Sequence, residues 1–305
     1  MNPEKSILRT IKYFEMFDMP LTAPEIHKNL YAPDNNYSFS DILDSLEHLK
    51  NKNLQEKEGF YFFPHKETTV KTRKNRYLLA HKKITYAKYF ILLLARIPFI
   101  KSVFICNNLG YQNAPDDSDI DLAIITTNHR IWTARFFSAA IMKLLGKRPT
   151  AHNRKNKICL SFFITEENLN LEKLAYEKDI HFIYWLNQFL PIYVTKDLDK
   201  KFFQTNNWTK KYLPNYFSVK TCDQWTIASK IFSKTLFEKI LSGSFGDFLE
   251  KKLKQIQLQI LPKKLKQKAA EASSDVIISD AILKFHDKDK RLEIRDRWYK
   301  KIDEN

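Results

Sequence analysis

The segment Ser102–Thr127, SVFICNNLGYQNAPDDSDIDLAIITT, constrains the fold more than any other. Two short apolar runs, Val103–Cys106 and Leu122–Ile125, enclose a polar loop. The runs are rich in β-branched residues and too short for helices, so they read as buried strands. Between them stands Asp116-Asp117-Ser118-Asp119-Ile120-Asp121. Side chains alternate along a strand, which puts Asp119 and Asp121 on one face and Ile120 on the other. Two parallel carboxylates that close repel each other. A divalent cation relieves the repulsion, and hard oxygen donors suit Mg²⁺.

The order strand, turn with glycine, Ser-Asp-Ile-Asp-Leu, strand resembles the DNA polymerase β-like nucleotidyltransferase superfamily. The likeness is most specific at Ser118–Leu122 with its flanking strands and extends over residues 95–195. It implies an α+β fold with a nucleotidyltransferase-type mixed sheet flanked by helices. It implies that Asp119 and Asp121 are the catalytic pair and hold Mg²⁺ (or Mn²⁺). The reaction implied is transfer of a nucleoside monophosphate from a nucleoside triphosphate to an unidentified acceptor hydroxyl. Asn107, Asn108 and Gly110 occupy the place of the family's Gly-Ser phosphate loop, and Ser118 is grouped with them as nucleotide-binding. Arg148, Arg154 and Lys155 supply cations for the phosphates and the leaving pyrophosphate.

The chain departs from the family pattern twice. Asn107-Asn108 replaces Gly-Ser, although asparagine tolerates positive φ better than most residues. The third strand offers Cys159 and Ser161 where the family carries its third carboxylate. Glu166, Glu167, Asp116 and Asp117 are the acids that would have to replace it. The alternatives are a catalytically degenerate fold that binds nucleotide or acts as a scaffold, and a nucleic-acid-binding regulator.

The remaining sequence divides into an N-terminal module (1–65), a connecting helix (66–97), the strand-bearing domain (98–195) and a helical C-terminal region (196–305). Ile7, Ile11, Phe14 and Phe17 repeat at helical spacing before Pro20. Thr22 and Glu25 form a capping box for a second helix, and Ser38 or Ser40 caps a third with Ile42, Leu43, Leu46 and Leu49 inward. Leu54–Lys57 and Gly59–Phe63 read as a hairpin. Three helices and a hairpin resemble a winged helix. The outward residues of its third helix, Asp41, Asp44, Glu47 and Lys50, are not a basic face, so packing is favoured over duplex reading.

Lys66–Arg96 reads as one long helix. A helix beginning at Thr127 or Asn128 runs to Leu145, with Trp132, Phe136, Ala139, Ala140, Leu144 and Leu145 as its buried residues and Gly146 at its C-terminal cap. Lys157–Thr165 reads as a strand, Glu172–Leu190 as a helix and Pro191–Thr195 as a short strand. Beyond Lys196 the pattern is helical. Val276–Ile278 is too short to assign, and Lys284–Lys301 is charge-dense.

A net charge of +16 favours a polyanionic partner, a nucleoside triphosphate or nucleic acid. Only 5 glycines, with no G-x-G-x-x-G, argue against a dinucleotide site. Walker, G-x-S-x-G and H-E-x-x-H motifs are absent as well, and His152 and His181 read as surface or internally satisfied residues. Cys106, Cys159 and Cys222 are widely spaced and odd in number, which suits free thiols in a reducing cytoplasm. The apolar runs Tyr89–Ile100 and Ile131–Leu145 are interrupted by Arg96, Pro98, Arg135 and Lys143, so no membrane span is expected.

Overall fold

The computed structural model describes residues 2–50, 52–217, 225–227, 232–271, 273–286 and 289–303. The N-terminal module contains α1 (Glu4–Glu15), β1 (Leu21–Thr22), α2 (Ala23–Lys28), α3 (Phe39–Lys50), β2 (Gln55–Lys57) and β3 (Phe60–Phe62). Its three strands form a small antiparallel sheet in the order β1-β3-β2. The helix starts are set locally. The backbone N–H and hydroxyl of Thr22 both donate to Glu25 Oε2, at 2.9 and 3.1 Å. Ser38 repeats the device with Asp41, its N–H and hydroxyl each 2.7 Å from Oδ2. In the hairpin, Glu58 and Gly59 take φ of 55° and 79°, the left-handed pair that a two-residue turn requires.

The long helix α4 (Thr68–Ala95) leads to β4 (Ile100–Ile105), the single-turn helix α5 (Asn107–Gly110), β5 (Ile120–Thr126), α6 (Ile131–Leu144) and β6 (Ile158–Thr165). There follow a 3₁₀ turn at Glu172–Leu174, α7 (Ile180–Asn187), β7 (Leu190–Val194), α8 (Leu198–Thr205) and a second 3₁₀ turn at Asn207–Lys211. The C-terminal part adds α9 (Phe232–Ile240), α10 (Ser244–Ile260), α11 (Lys263–Ala270), β8 (Val276–Ile278), β9 (Ile282–Phe285) and α12 (Arg291–Asp303). The fold is α+β, with a mixed six-stranded sheet in the order β7-β4-β5-β6-β9-β8. Within it β5 and β6 pair in parallel, as the α6 crossover demands, and the other neighbours are antiparallel.

Strand alternation explains how this sheet is covered. Val103, Ile105, Leu122 and Ile124 pack with Ile84, Ile91 and Leu94 of α4 and Trp132 and Met142 of α6. Their sequence neighbours Phe104, Cys106, Ala123 and Ile125 pack with Phe182, Trp185 and Leu186 of α7 and Phe202 of α8. Both faces are buried, so the central strands read as continuous apolar runs. The N-terminal module meets this unit along an aromatic seam. Tyr13 of α1 stacks on Tyr184 of α7 with ring centroids 4.3 Å apart, and Tyr31 meets Trp298 of α12 edge-on at 5.1 Å.

Several expectations change. The C-terminal region is not wholly helical, because β8 and β9 form a hairpin that extends the main sheet from β6. Without it β6 would be an edge strand with unpaired backbone groups. The helix expected over Glu172–Leu190 is a 3₁₀ turn and the short α7. The chain breaks at Lys178, with φ of 54°, and Asp179 Oδ1 caps the new start by accepting from the Phe182 N–H at 3.0 Å. Leu144, expected inside, is 87% exposed, and Leu145 and Leu43 are exposed too. Cys106 and Cys159 are free thiols, while Cys222 lies outside the described residues. Among the described residues no helix is long and apolar enough to cross a membrane.

Candidate metal centre

Asp121 is the second residue of β5 and stands beside Cys159 of β6 in the parallel register. Asp119 precedes the strand by one residue. Ile120 is fully buried on the α4/α6 side, so alternation carries both acids to the α7 side. Ligand atoms of Asp119, Asp121 and Cys159 all lie within 4.8 Å of one another, a cluster that could hold a metal ion. The β5–β6 register shifts just beyond it. Asp121 pairs with Cys159 but Ala123 pairs with Phe162, so β6 carries one extra residue here. A bulge of this kind redirects side chains beside a site, and both Cys159 and Ser161 face the cavity.

The electrostatics are those of a carboxylate pair without enough cation. Burial, and then the neighbouring Asp119 carboxylate, push Asp121 up from 3.8 to about 6. Hydrogen bonds from the Asn107 amide and the Cys159 thiol work in the opposite direction. The Cys159 thiol is driven up by burial and by Asp121, so it remains protonated and serves as a donor to the carboxylate. Asp119 is buried and accepts from Arg154 Nη2 at 2.8 Å. The Arg154 side chain is 62% exposed, so this pair contributes at most about 1 kcal/mol. Two carboxylates with one solvated guanidinium fit an additional divalent cation. Carboxylate oxygens are donors of the hard type, and the protonated thiol is not a ligand for a hard ion.

The cluster opens into a cavity of about 580 Å³. Asn107 and Asn108 of α5 line it beside the acids, with Phe182 and Trp185 of α7 along one wall. The N-terminal module contributes Phe14, Phe17 and Met19. The end of β9 and the start of α12 close it with Lys284, His286, Asp289 and Arg291. Asn107 is fixed at φ 55° and accepts from Trp185 Nε1 at 2.6 Å. His181 is held by Tyr13, with Nδ1 at 2.8 Å from the hydroxyl, and burial lowers it to about 4.

Five of the residues singled out in the sequence come together here: Asp119, Asp121, Asn107, Asn108 and Arg154. The other four lie outside the cavity lining. Ser118 Oγ accepts from Lys83 Nζ at 2.9 Å and donates to the Pro115 carbonyl, fixing the turn before β5. Gly110 lies against the end of α7, where a Cβ would stand 2.5 Å from the Gln188 carbonyl oxygen. Arg148 donates to the Ile158 carbonyl at 3.2 Å, and Lys155 pairs with Asp116 at 2.6 Å.

Sequence reasoning missed the C-terminal wall. His286 Nε2 lies 3.1 Å from Ser161 Oγ. Burial, and then the Lys284 ammonium, lower His286 to about 4 and keep the ring neutral. On the same wall, Lys284 pairs with Asp289 at 2.6 Å, and Arg291 reaches Asp289 at 2.9 Å and Asp179 at 3.2 Å. Comparison with protein-family models, curated proteins and solved structures returned no match.

Proposed function

We propose that this chain is a Mg²⁺-dependent nucleotidyltransferase of the polymerase β-like type, moving a nucleoside monophosphate from a triphosphate to an acceptor hydroxyl. The observation that carries the reading is the Asp119–Asp121 pair. It lies on one face at the start of a central strand, with Arg154 as its bonded cation, and opens into a cavity of about 580 Å³. Asp119 and Asp121 would hold Mg²⁺ (or Mn²⁺), which when bound supplies neutralisation of phosphate charge. Arg154, solvated and bonded to Asp119, is the cation best placed to turn to a phosphate. Asn108 is exposed at the same end of the cavity and offers a neutral donor. The rings of Phe182 and Trp185 supply apolar walls for a base or an acceptor, and they exclude water from the reacting groups. The N-terminal module then acts as a wall of the pocket rather than as a duplex reader.

The test is calorimetry with the four nucleoside triphosphates, with and without Mg²⁺, on wild type and Asp119→Ala. Mg²⁺-dependent binding that the substitution abolishes is the expected result, and no binding by a folded wild type refutes the reading. A second reading, nucleotide binding without transfer, is favoured by one observation: β6, Ile158–Thr165, carries Cys159 and Ser161 towards the cavity and no acid. Pyrophosphate release by wild type that disappears in Asp121→Ala would exclude that second reading.

A further inference from the structure

A hydroxyl that attacks phosphorus must give up its proton, and the groups around the Asp119–Asp121 pair narrow the choice of acceptor. Both carboxylates would be ligands of the cation, and burial keeps the Cys159 thiol protonated. Asp289 is tied to Lys284 and Arg291 by bonds of 2.6 and 2.9 Å. His181 is bonded to Tyr13 and stacked on Phe17 at 5.7 Å, on the wall formed by the N-terminal module. His286 remains. It lines the same cavity as Asp119 and Asp121. Its Nε2 meets Ser161 Oγ, a hydroxyl two residues along β6 from Cys159.

We infer that His286, delivered to the metal centre by the C-terminal hairpin, is the group that accepts the proton of the attacking hydroxyl, with Ser161 marking the position that hydroxyl takes. The inference rests on the nucleotidyltransferase reading and deepens it. The acceptor's O–H replaces the Ser161 hydroxyl at Nε2. As its oxygen bonds to the α-phosphorus, the proton passes to Nε2 and the bridging P–O bond to the β-phosphate breaks. The electron pair leaves on pyrophosphate, and the imidazolium returns its proton to solvent after products depart. In the free protein burial makes the ring a weak base. A bound triphosphate brings several negative charges beside it and raises its basicity toward neutrality.

The experiment measures pyrophosphate release from the four nucleoside triphosphates with Mg²⁺ and glycerol as the hydroxyl donor. It uses the full chain as wild type, His286→Ala, His286→Asn and Asp119→Ala. His286→Ala is expected to slow release by about 10²-fold or more. Nucleotide affinity measured by calorimetry stays within about twofold of wild type, because His286 is placed against the acceptor hydroxyl and not against the nucleotide. His286→Asn, which preserves polarity and much of the volume, stays equally slow. Added imidazole restores part of the rate to His286→Ala and none to Asp119→Ala; restoration also demonstrates an intact pocket. Wild-type rates in His286→Ala overturn the inference. So does a parallel loss of Mg²⁺ and nucleotide binding without imidazole rescue, which would assign His286 to cation binding or to folding. If wild type releases no pyrophosphate, or Asp119→Ala releases as much, the nucleotidyltransferase reading itself fails and the inference with it.

Discussion

Replacing Asp121 by asparagine tests the electrostatics of the centre without any substrate. Burial and the Asp119 charge raise Asp121 from 3.8 to about 6 in the folded chain. The native state therefore keeps a proton that the unfolded chain releases between those values. A group whose native pKa is raised contributes its stability below the unfolded pKa and loses it as pH climbs through the native one. A rise from 3.8 to about 6, at about 1.36 kcal/mol per tenfold, makes the ionised carboxylate cost about 3 kcal/mol above that window. Asparagine keeps the shape and a hydrogen-bonding oxygen but carries no charge. Asp121→Asn should thus raise stability by about 1–3 kcal/mol at about pH 7.5 and change it by about zero at about pH 4. Urea unfolding of both proteins in a chelator, across that pH range, reads the difference, in which the titration of carboxylates remote from the Asp119–Asp121 pair cancels. Adding Mg²⁺ should reverse the order. Wild type gains about 4.1 kcal/mol at a cation concentration about 1,000 times its Kd, more than the penalty of about 3 kcal/mol at stake, and the variant loses most of that gain. A difference that does not vary with pH, or a variant less stable than wild type at about pH 7.5 in chelator, would show that the folded chain does not penalise an ionised Asp121.

Arg154→Ala removes the guanidinium that a cation must compete with at Asp119. Divalent-cation binding measured by calorimetry without nucleotide should tighten by up to about fivefold, the equivalent of about 1 kcal/mol; unchanged or weaker binding counts against that competition. Glu250 of α10 accepts from the Trp132 and Thr133 N–H groups at 2.9 and 2.8 Å, capping α6 from another helix. Glu250→Ala strands both buried donors and should lower stability by about 2 kcal/mol in urea unfolding; a loss under about 0.5 kcal/mol would contradict the cap. Arg291→Met leaves the buried Asp179 without its guanidinium and Asp289 with Lys284 alone. The expected cost is about 3–5 kcal/mol by the same assay, and a loss below about 1 kcal/mol would show that the network is not needed.

The sheet and the acid pair were legible in the sequence because both depend on alternation over a few adjacent residues. Val103–Cys106 and Leu122–Ile125 are apolar on both faces, and Asp119-Ile120-Asp121 then fixes which face carries charge. The C-terminal wall was not legible. The strands Val276–Ile278 and Ile282–Phe285 are 3 and 4 residues long, too short for any period to show. The contact between Ser161 and His286 spans 125 residues of sequence. The false helix over Glu172–Leu190 has a different cause. Leu174, Ile180, Ile183 and Leu186 keep a helical rhythm, but Lys178 adopts a left-handed conformation and Asp179 restarts the helix. Charge without geometry misled as well. Arg148 and Arg154 look alike in sequence, yet one donates to the Ile158 carbonyl and the other to Asp119.

The cost of Asp121 also bears on the choice between a ligand-binding centre and an inert scaffold. A penalty of about 3 kcal/mol is a large part of the 5–15 kcal/mol by which a typical domain is stable. The groups that oppose it in the free chain, Asn107, Cys159 and Arg154, still leave the carboxylate raised. Arg154 is solvated and bonds Asp119, not Asp121. The Asn107 and Cys159 contacts are already included in the raised value. An apolar or amide side chain at position 121 would complete the strand at lower cost, so packing gives no reason for the acid. Binding of a cation does, since the same proximity that makes two carboxylates repel makes them a better pair of ligands. The cost and its relief are the same whether or not transfer follows binding, because both are set by the free energy of the carboxylate pair with and without its counter-ion.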